Sequence, residues 1–416
     1  PNGPPFPEDD TVGVYCSRRT TRVWVLDCDI YQSRGDCVGG GHGVQYLASN
    51  YYFGRNLLHE TGENAVDLKE VENIVVSQNK MYDFKGLSSG SGGGDGGAIV
   101  VHYGPTYSPR NVWFLFNEIY NANGCAISVG GAQEHPVYFI GNIIHDIKNT
   151  NRNAKAFQTW GCRLVALIGN TIYNTDLGVD WGVQSNAQLV FEDNIISTMT
   201  PGGYHLKVES TDQQQLAEIN RNLFHQPGGS AVINWGGGSS TLAQWQAASG
   251  KGASCLEGDP LFVNSTAKDF HLQEASPAID KGAAAAVYLL FQETFGMDIR
   301  VDYEGRPRPQ GAAWDMGAYE TTSGPWLWVT APNGGEIWPR NRLCTITWSA
   351  NEISGNVVIE LVQNGSVIGT IATVPASQGN YLWTVGTYQG GTVGAGSGYK
   401  IRVRTADGAT VAHDER

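Results

Sequence analysis

The chain has 416 residues, 54 of them glycine, with 16% charged residues and a formal net charge of −13. That length allows two or three domains with their own cores, and high glycine with sparse charge points to turn-rich β structure rather than helices. No run of Lys or Arg supplies the basic patch that a nucleic-acid or anionic-membrane partner needs. No apolar run is long enough for a transmembrane segment, and an acidic polysaccharide would be repelled at long range unless a local cation offsets the charge.

Seven cysteines (Cys16, Cys28, Cys37, Cys125, Cys162, Cys255 and Cys344) leave at least one unpaired within the chain, and none forms a CxxC pair of the kind zinc sites use. Cys16 and Cys37 are a possible disulfide. The chain opens on Pro1-Asn2-Gly3-Pro4-Pro5, without Met or a signal peptide, and is read as a trimmed or mature form whose export is inferred.

Residues 1–20 are a Pro-rich lead-in. From about residue 21 one pattern recurs: a few apolar residues, an Asn, two apolar or mixed residues, then a polar turn. It places Asn56, Asn79, Asn117, Asn142, Asn170, Asn194 and Asn222 in equivalent positions, with Cys28 in the first place. The spacings are 28, 23, 38, 25, 28, 24 and 28. A repeat of this length holds about three short strands and cannot bury its apolar side alone; stacked on its neighbours it can, which is the signature of a β-helix. Each stacked Asn amide is expected to bond the next and satisfy groups that the bend buries. The glycine-rich stretch 86–97 lacks the alternation of a calcium-binding nonapeptide and is read as an excursion, or as a loop rimming a groove.

After Asn222 the pattern weakens. Thr241 to Ala248 reads as a short helix, and Ala283 to Phe295 as a helix whose apolar face closes the end of the coil. The stretches Asp259-Pro-Leu-Phe-Val, Ser276-Pro-Ala-Ile-Asp280, Asp302 to Gln310 and Asp315-Met-Gly-Ala-Tyr-Glu320 resemble a closing module of secreted bacterial right-handed β-helix proteins. The resemblance implies fold and export and makes Asp302, Arg306 and Asp315 structural rather than catalytic. From Pro325 the strands alternate in twos, as in an immunoglobulin-like β-sandwich. The run from Pro332-Asn-Gly-Gly-Glu336 through Trp338 to Thr347-Trp348 resembles accessory domains of bacterial cell-surface proteins, which serve as spacers or binding modules. The expected architecture is all-β: a right-handed parallel β-helix over 1–322, with the closing module at about 255–322, then an immunoglobulin-like β-sandwich over 325–416. The chain stops at Asp414-Glu415-Arg416 without a final strand pattern, so cell-surface attachment through a further C-terminal region is expected.

Strand alternation says which side chains face outward. In Ala65-Val66-Asp67-Leu68-Lys69, Val66 and Leu68 point in, while Asp67 and Lys69 point out, about 6.6 Å apart. The next turn, Ala98 to His102, sets His102 beside Lys69 at a strand separation of about 4.8 Å. Continuing the columns adds Gln158, Trp160, Asp180, His205 and Lys207, a mixture of charge and aromatic surface suited to sugars. Each one taken singly also reads as a solvated surface residue. Glu63-Asn64-x-x-Asp67, with Asp36 one turn earlier, is similar to the calcium-binding pattern of β-helical pectate lyases. That resemblance implies a Ca2+ ion held by Asp36, Glu63, Asn64 and Asp67, and β-elimination on a uronic-acid polymer. Asn64 replaces an acid of that pattern, and His102 lies near the place of the base lysine of one such family. Lys69 is then the candidate base, as the base lysine of alginate-cleaving β-helix lyases also follows closely on metal-binding acids. Three readings stand: a secreted, calcium-assisted polysaccharide lyase with Lys69 and His102 as catalytic residues; a non-catalytic carbohydrate-binding or adhesion protein; and a β-helical glycoside hydrolase pairing Asp67 with Asp95 or Asp180.

Overall fold

The computed structural model describes residues 11–16, 20–41, 47–84, 96–131, 134–182, 188–209, 211–321, 325–332, 336–407 and 414–415. The glycine-rich excursion up to Asp95 lies outside them. Segments 1–285 and 312–321 form one compact unit, and 286–311 with 322–416 a second.

The first unit is a right-handed parallel β-helix. Each turn of chain, or rung, gives one short strand to each of three sheets. Sheet one runs from Val14–Cys16 through Val66–Leu68, Ile99–His102, Cys125–Gly130, Lys155–Thr159, Leu177–Trp181 and Leu206–Val208 to Val232–Trp235, where an antiparallel strand, Gly238–Thr241, ends it. Sheet two runs from Thr21–Leu26 to Ala217–Asn220, and sheet three from Asp29–Tyr31 to Leu256–Glu257. The first rung therefore begins at Val14, earlier than the repeat suggests. Inward residues such as Val66, Ile99, Ile127, Phe157, Val179 and Leu206 stack in register and are fully buried, which supplies the apolar core that one rung alone lacks.

The corner between sheets two and three is built by the repeated Asn. From Asn56 to Asn222 each side-chain amide donates to the next Asn Oδ1 at 2.9–3.0 Å, and that same oxygen accepts the preceding backbone N–H. Residues just before them, from Asp27 and Arg55 to Arg221, have positive φ, which turns the chain sharply enough to expose those N–H groups to the neighbouring rung. Cys28 starts the ladder, its backbone N–H donating to Asn56 Oδ1 at 3.0 Å, and Cys255 ends it. No disulfide joins Cys16 to Cys37, whose thiol instead donates to the Ile30 carbonyl.

The stretch from Leu256 to Ala285, with Ala312 to Thr321, lies against the outer side of sheet three. Leu272, Ala278 and Met316 cover the outward-facing Ile195 and Leu223, and the Ala318 N–H donates to Thr171 Oγ1 at 2.9 Å. This cover explains why outward positions are apolar on these rungs but carry Lys80 and Glu118 on earlier ones. Asp315 is structural here: its two oxygens accept the backbone N–H groups of Asp280 and Thr321. In the second unit Asp302 accepts the N–H groups of Glu304 and Arg306, ordering the turn between them.

The helix expected from Ala283 spans Ala286–Phe295 and falls in the second unit. The described residues between 326 and 415 form two main antiparallel sheets, with a small hairpin of Thr387–Tyr388 and Gly391–Thr392 beside them in sequence. Trp326–Ala331, Leu343–Asn351 and Asn380–Thr384 make one; Ser366–Pro375, Asn356–Gln363, Tyr399–Thr405 and Asp414–Glu415 make the other. Leu327, Ile346 and Trp348 from the first share a core with Ile359, Leu361 and Ile401 from the second, the arrangement of a β-sandwich.

Candidate functional site

Sheet one aligns Asp67, Val100, Ser128, Gln158, Asp180, Lys207 and Asn234 in one outward column. Two positions further along each strand, Lys69, His102, Gly130 and Trp160 make a second. The two columns carry two charged clusters.

In the first, Lys69 Nζ lies 2.6 Å from Asp67 Oδ2, and His102 Nε2 lies 3.6 Å from Asp67 Oδ1. That Oδ1 is buried and has no hydrogen-bond partner. Asp36, one rung earlier, accepts both the backbone and side-chain N–H of Asn64 through its Oδ1, at 3.1 and 2.9 Å. A Cβ placed on Gly39, the residue paired with Asp67, would lie 3.7 Å from Asp36 Oδ2, so the two acids face the same small space. Burial, then the Asp67 charge, push Asp36 up to about 7; the bonds from Asn64 oppose the rise and Glu63 adds to it. Behind His102, the fully buried Glu70 accepts the N–H groups of Thr106 and Tyr107 at 2.6 and 3.1 Å. It thereby pins the loop that leaves the His102 strand.

The second cluster is more densely bonded. Asp180 Oδ2 receives Lys155 at 2.8 Å and the Tyr204 hydroxyl at 2.9 Å, and Oδ1 faces Lys207 at 3.6 Å. Lys155 also donates to Gln158 Oε1, whose amide donates to Ser128 Oγ. Burial, then the Asp180 charge, push the Tyr204 hydroxyl upward and keep it a donor. Burial works against the Lys207 ammonium, but its pairs with Glu209 and Asp180 outweigh it and raise its pKa. Between the clusters Trp160 remains 44% exposed. A Cβ on Gly130 would come within 2.1 Å of its indole, so the missing side chain is what lets Trp160 lie flat on the sheet.

The family described as right handed beta helix region matches residues 107–246. The match covers the Asp180 cluster and Trp160, while Asp67, Lys69 and His102 lie on earlier rungs of the same continuous sheets. No curated protein matches the chain. A β-helix of this kind fits carbohydrate-active proteins in general.

The β-helix places Asp67, Lys69, His102, Gln158, Trp160, Asp180 and Lys207 on one face, as alternation predicts. His205 is not on it. It is fully buried, accepting the Val232 N–H on Nδ1 at 3.1 Å and donating from Nε2 to the His225 carbonyl at 3.0 Å. Burial pushes it down to about 4, so it is a neutral cross-link. Its column holds Ala65, Ala98, Ala126, Ala156 and Gly178, small residues that leave an enclosed corner.

Lys155 and Tyr204 are the members that sequence reading missed. Alternation puts Lys155 on the inward side with Phe157, and only its long stem brings the amine round to Asp180. Asp67 and Asp180 are four rungs apart, about 19 Å at 4.8 Å per rung. That is too far for a hydrolase pair, which needs about 5–9.5 Å; Asp95 lies outside the described residues. Among the described residues no three His, Cys, Asp or Glu side chains converge as a ligand set. The Asn64 amide is taken by Asp36 and Asp67 Oδ2 by Lys69. Arranged this way, the four residues do not offer the six to eight oxygens that calcium takes.

Proposed function

We propose that the protein is a polysaccharide lyase acting on a uronic-acid polymer by β-elimination, with its centre at Asp67, Lys69 and His102. The observation that carries this reading is the Asp67 carboxylate, which grips Lys69 through one oxygen and leaves the other without a hydrogen bond, facing His102.

The ion pair favours the ammonium form of Lys69, so its role is to meet the substrate carboxylate and acidify the neighbouring C–H. His102, an imidazole oriented by Asp67, then takes the C5 proton. The electron pair forms the C4–C5 double bond, and the glycosidic bond at C4 breaks with its electrons leaving on oxygen, which takes a proton from water. This assignment exchanges the base role from Lys69 to His102. Trp160, two rungs beyond His102, gives a sugar ring an aromatic floor, and Gln158, Asp180 and Lys207 extend the binding face. The lysines supply the local cations that an acidic chain needs against a net charge of −13. Such chemistry belongs outside the cell, and the resemblance of the closing stretch to secreted bacterial β-helix proteins supports that location. The C-terminal sandwich would act as an accessory module at the cell surface.

The test follows unsaturated-uronate absorbance on pectate, alginate and related polymers, with calcium or with chelator. Product formation lost in His102→Ala and Lys69→Ala but retained in part in Lys69→Arg supports this assignment, because Arg keeps the charge and cannot act as a base. Full loss in Lys69→Arg returns the base role to Lys69. Activity abolished by chelator and restored by calcium would call for a Ca2+ ion, and its loss in Asp36→Asn would then point to the Asp36, Glu63, Asn64 and Asp67 set. No absorbance change and no new reducing ends on any polymer overturns the enzyme reading and leaves a glycan-binding scaffold.

A further inference from the structure

The outward column of sheet one ends in a different kind of surface. Beyond Lys207 it passes to Asn234, and Val232–Trp235 turns back through Gly236 and Gly237 into the antiparallel Gly238–Thr241. Gly236 has a φ of 62°, and a Cβ there would meet Gln214 Nε2 at 2.6 Å, so this bare turn is what admits the amide. The hairpin, the helix Leu242–Ser249 and the chain at Gln214 and Gln215 line an open cavity of about 590 Å³. That volume is in the range of small-molecule sites.

The walls have one consistent chemistry. Gln214, Gln215 and Gln244 bring amides, Ser239 and Ser240 bring hydroxyls, and the indoles of Trp235 and Trp245 stand with centroids 5.3 Å apart at 60°. No carboxylate is among the described lining residues, and the lining Lys251 is directed at the backbone carbonyls of Gln215 and Ala217, at 3.2 and 2.8 Å. Trp245 Nε1, on a lining residue, is buried without a hydrogen-bond partner. Trp245 is only 2% exposed, and its benzo edge sits on Gly252, where a Cβ would come within 2.4 Å; the N–H edge is on the other side of the ring. A buried donor without a partner is costly unless something supplies an acceptor.

We propose that this cavity binds an uncharged saccharide unit. A sugar hydroxyl supplies the acceptor that the Trp245 N–H lacks. Planar amides and serine hydroxyls read the remaining hydroxyls, and the half-buried Trp235 indole takes the C–H side of the ring. With its lysine held by carbonyls and no acid among the described lining residues, the cavity offers no charged partner to a ligand. It stands six rungs from Asp67, about 29 Å, so its ligand and the elimination centre are separable.

The test uses the full chain labelled with 15N at the tryptophan indoles, titrated with neutral cello-, xylo- and manno-oligosaccharides and, for contrast, with oligogalacturonate. The Trp245 N–H resonance is assigned as the one missing from Trp245→Phe. It is expected to shift saturably with a neutral oligosaccharide. Affinity should weaken at least about tenfold in Gln214→Ala and Trp235→Ala, and stay unchanged in Lys69→Ala. Gln214→Ala alters a side chain outside the apolar core, and an unchanged melting temperature certifies its fold. A Trp245 resonance unmoved by every neutral oligosaccharide overturns the proposal. So does an affinity that Gln214→Ala and Trp235→Ala leave intact.

Discussion

Asp67 and Asp180 stand in the same outward column and each meets a lysine, yet their carboxylates are in different situations. Asp180 takes Lys155 and the Tyr204 hydroxyl on one oxygen and has the Lys207 ammonium 3.6 Å from the other. Asp67 holds one lysine and keeps a buried oxygen without a hydrogen bond, facing a second acid that is itself pushed up to about 7. A carboxylate whose partners are complete organises surface; one whose partners are incomplete can do work on something that arrives. The partners separate the two: two lysines and a tyrosine around Asp180, one lysine and a histidine around Asp67.

That contrast can be broken most sharply by kinetics. His102→Ala should lower kcat/KM by about 100- to 10,000-fold, whereas Lys155→Ala, in the satisfied cluster, should cost less than about tenfold. Equal losses in the two variants would erase the distinction.

Stability against pH reads the same difference. The folded chain keeps on Asp36 a proton that the unfolded chain releases near 3.8. Its contribution to stability is therefore complete below about pH 4 and is lost as pH rises through about 7. Asp36→Asn should leave stability unchanged at low pH and raise it by on the order of 2–4 kcal/mol above neutrality, measured by denaturant unfolding across pH. A variant equally stable at all pH values would mean that the acid pair is already neutralised by some other group.

Smaller effects refine the picture. Asp180→Asn should destabilise by about 1–2 kcal/mol, because Lys155 and Lys207 lose their shared partner. Asp67→Asn should cost less, since it removes a charge that raises Asp36. Trp160→Ala should raise KM about tenfold with kcat little changed, the result for a platform that binds ground and transition states alike; a loss confined to kcat would move Trp160 into the chemistry.

The coil was legible because its cause repeats. Seven Asn residues at intervals of 23 to 38 mark the one corner where buried N–H groups need the same answer on every rung. The outward column from Asp67 to Lys207 was legible for a similar reason: with a side-chain period of two and a buried core, inward residues fix the register of outward ones. His205 shows where the rule stops. At the corner before a strand begins, direction depends on the turn, and neighbours from other rungs enclose the side chain. Lys155 shows a second limit, since a long side chain on the inward side of the pattern ends beside an outward acid.

By itself, then, the sequence determined the fold class, the ladder and the face that carries the charges, because these follow from local periodicity repeated many times. Tertiary structure alone decided which acid is satisfied and which is not, that Cys16 and Cys37 stay unbonded, and that the stretch after Leu256 lies along sheet three. It also assembled the Trp235 and Trp245 cavity from a hairpin, a helix and two glutamines. Each of these depends on where groups far apart in the chain meet, and a one-dimensional period carries no record of such meetings.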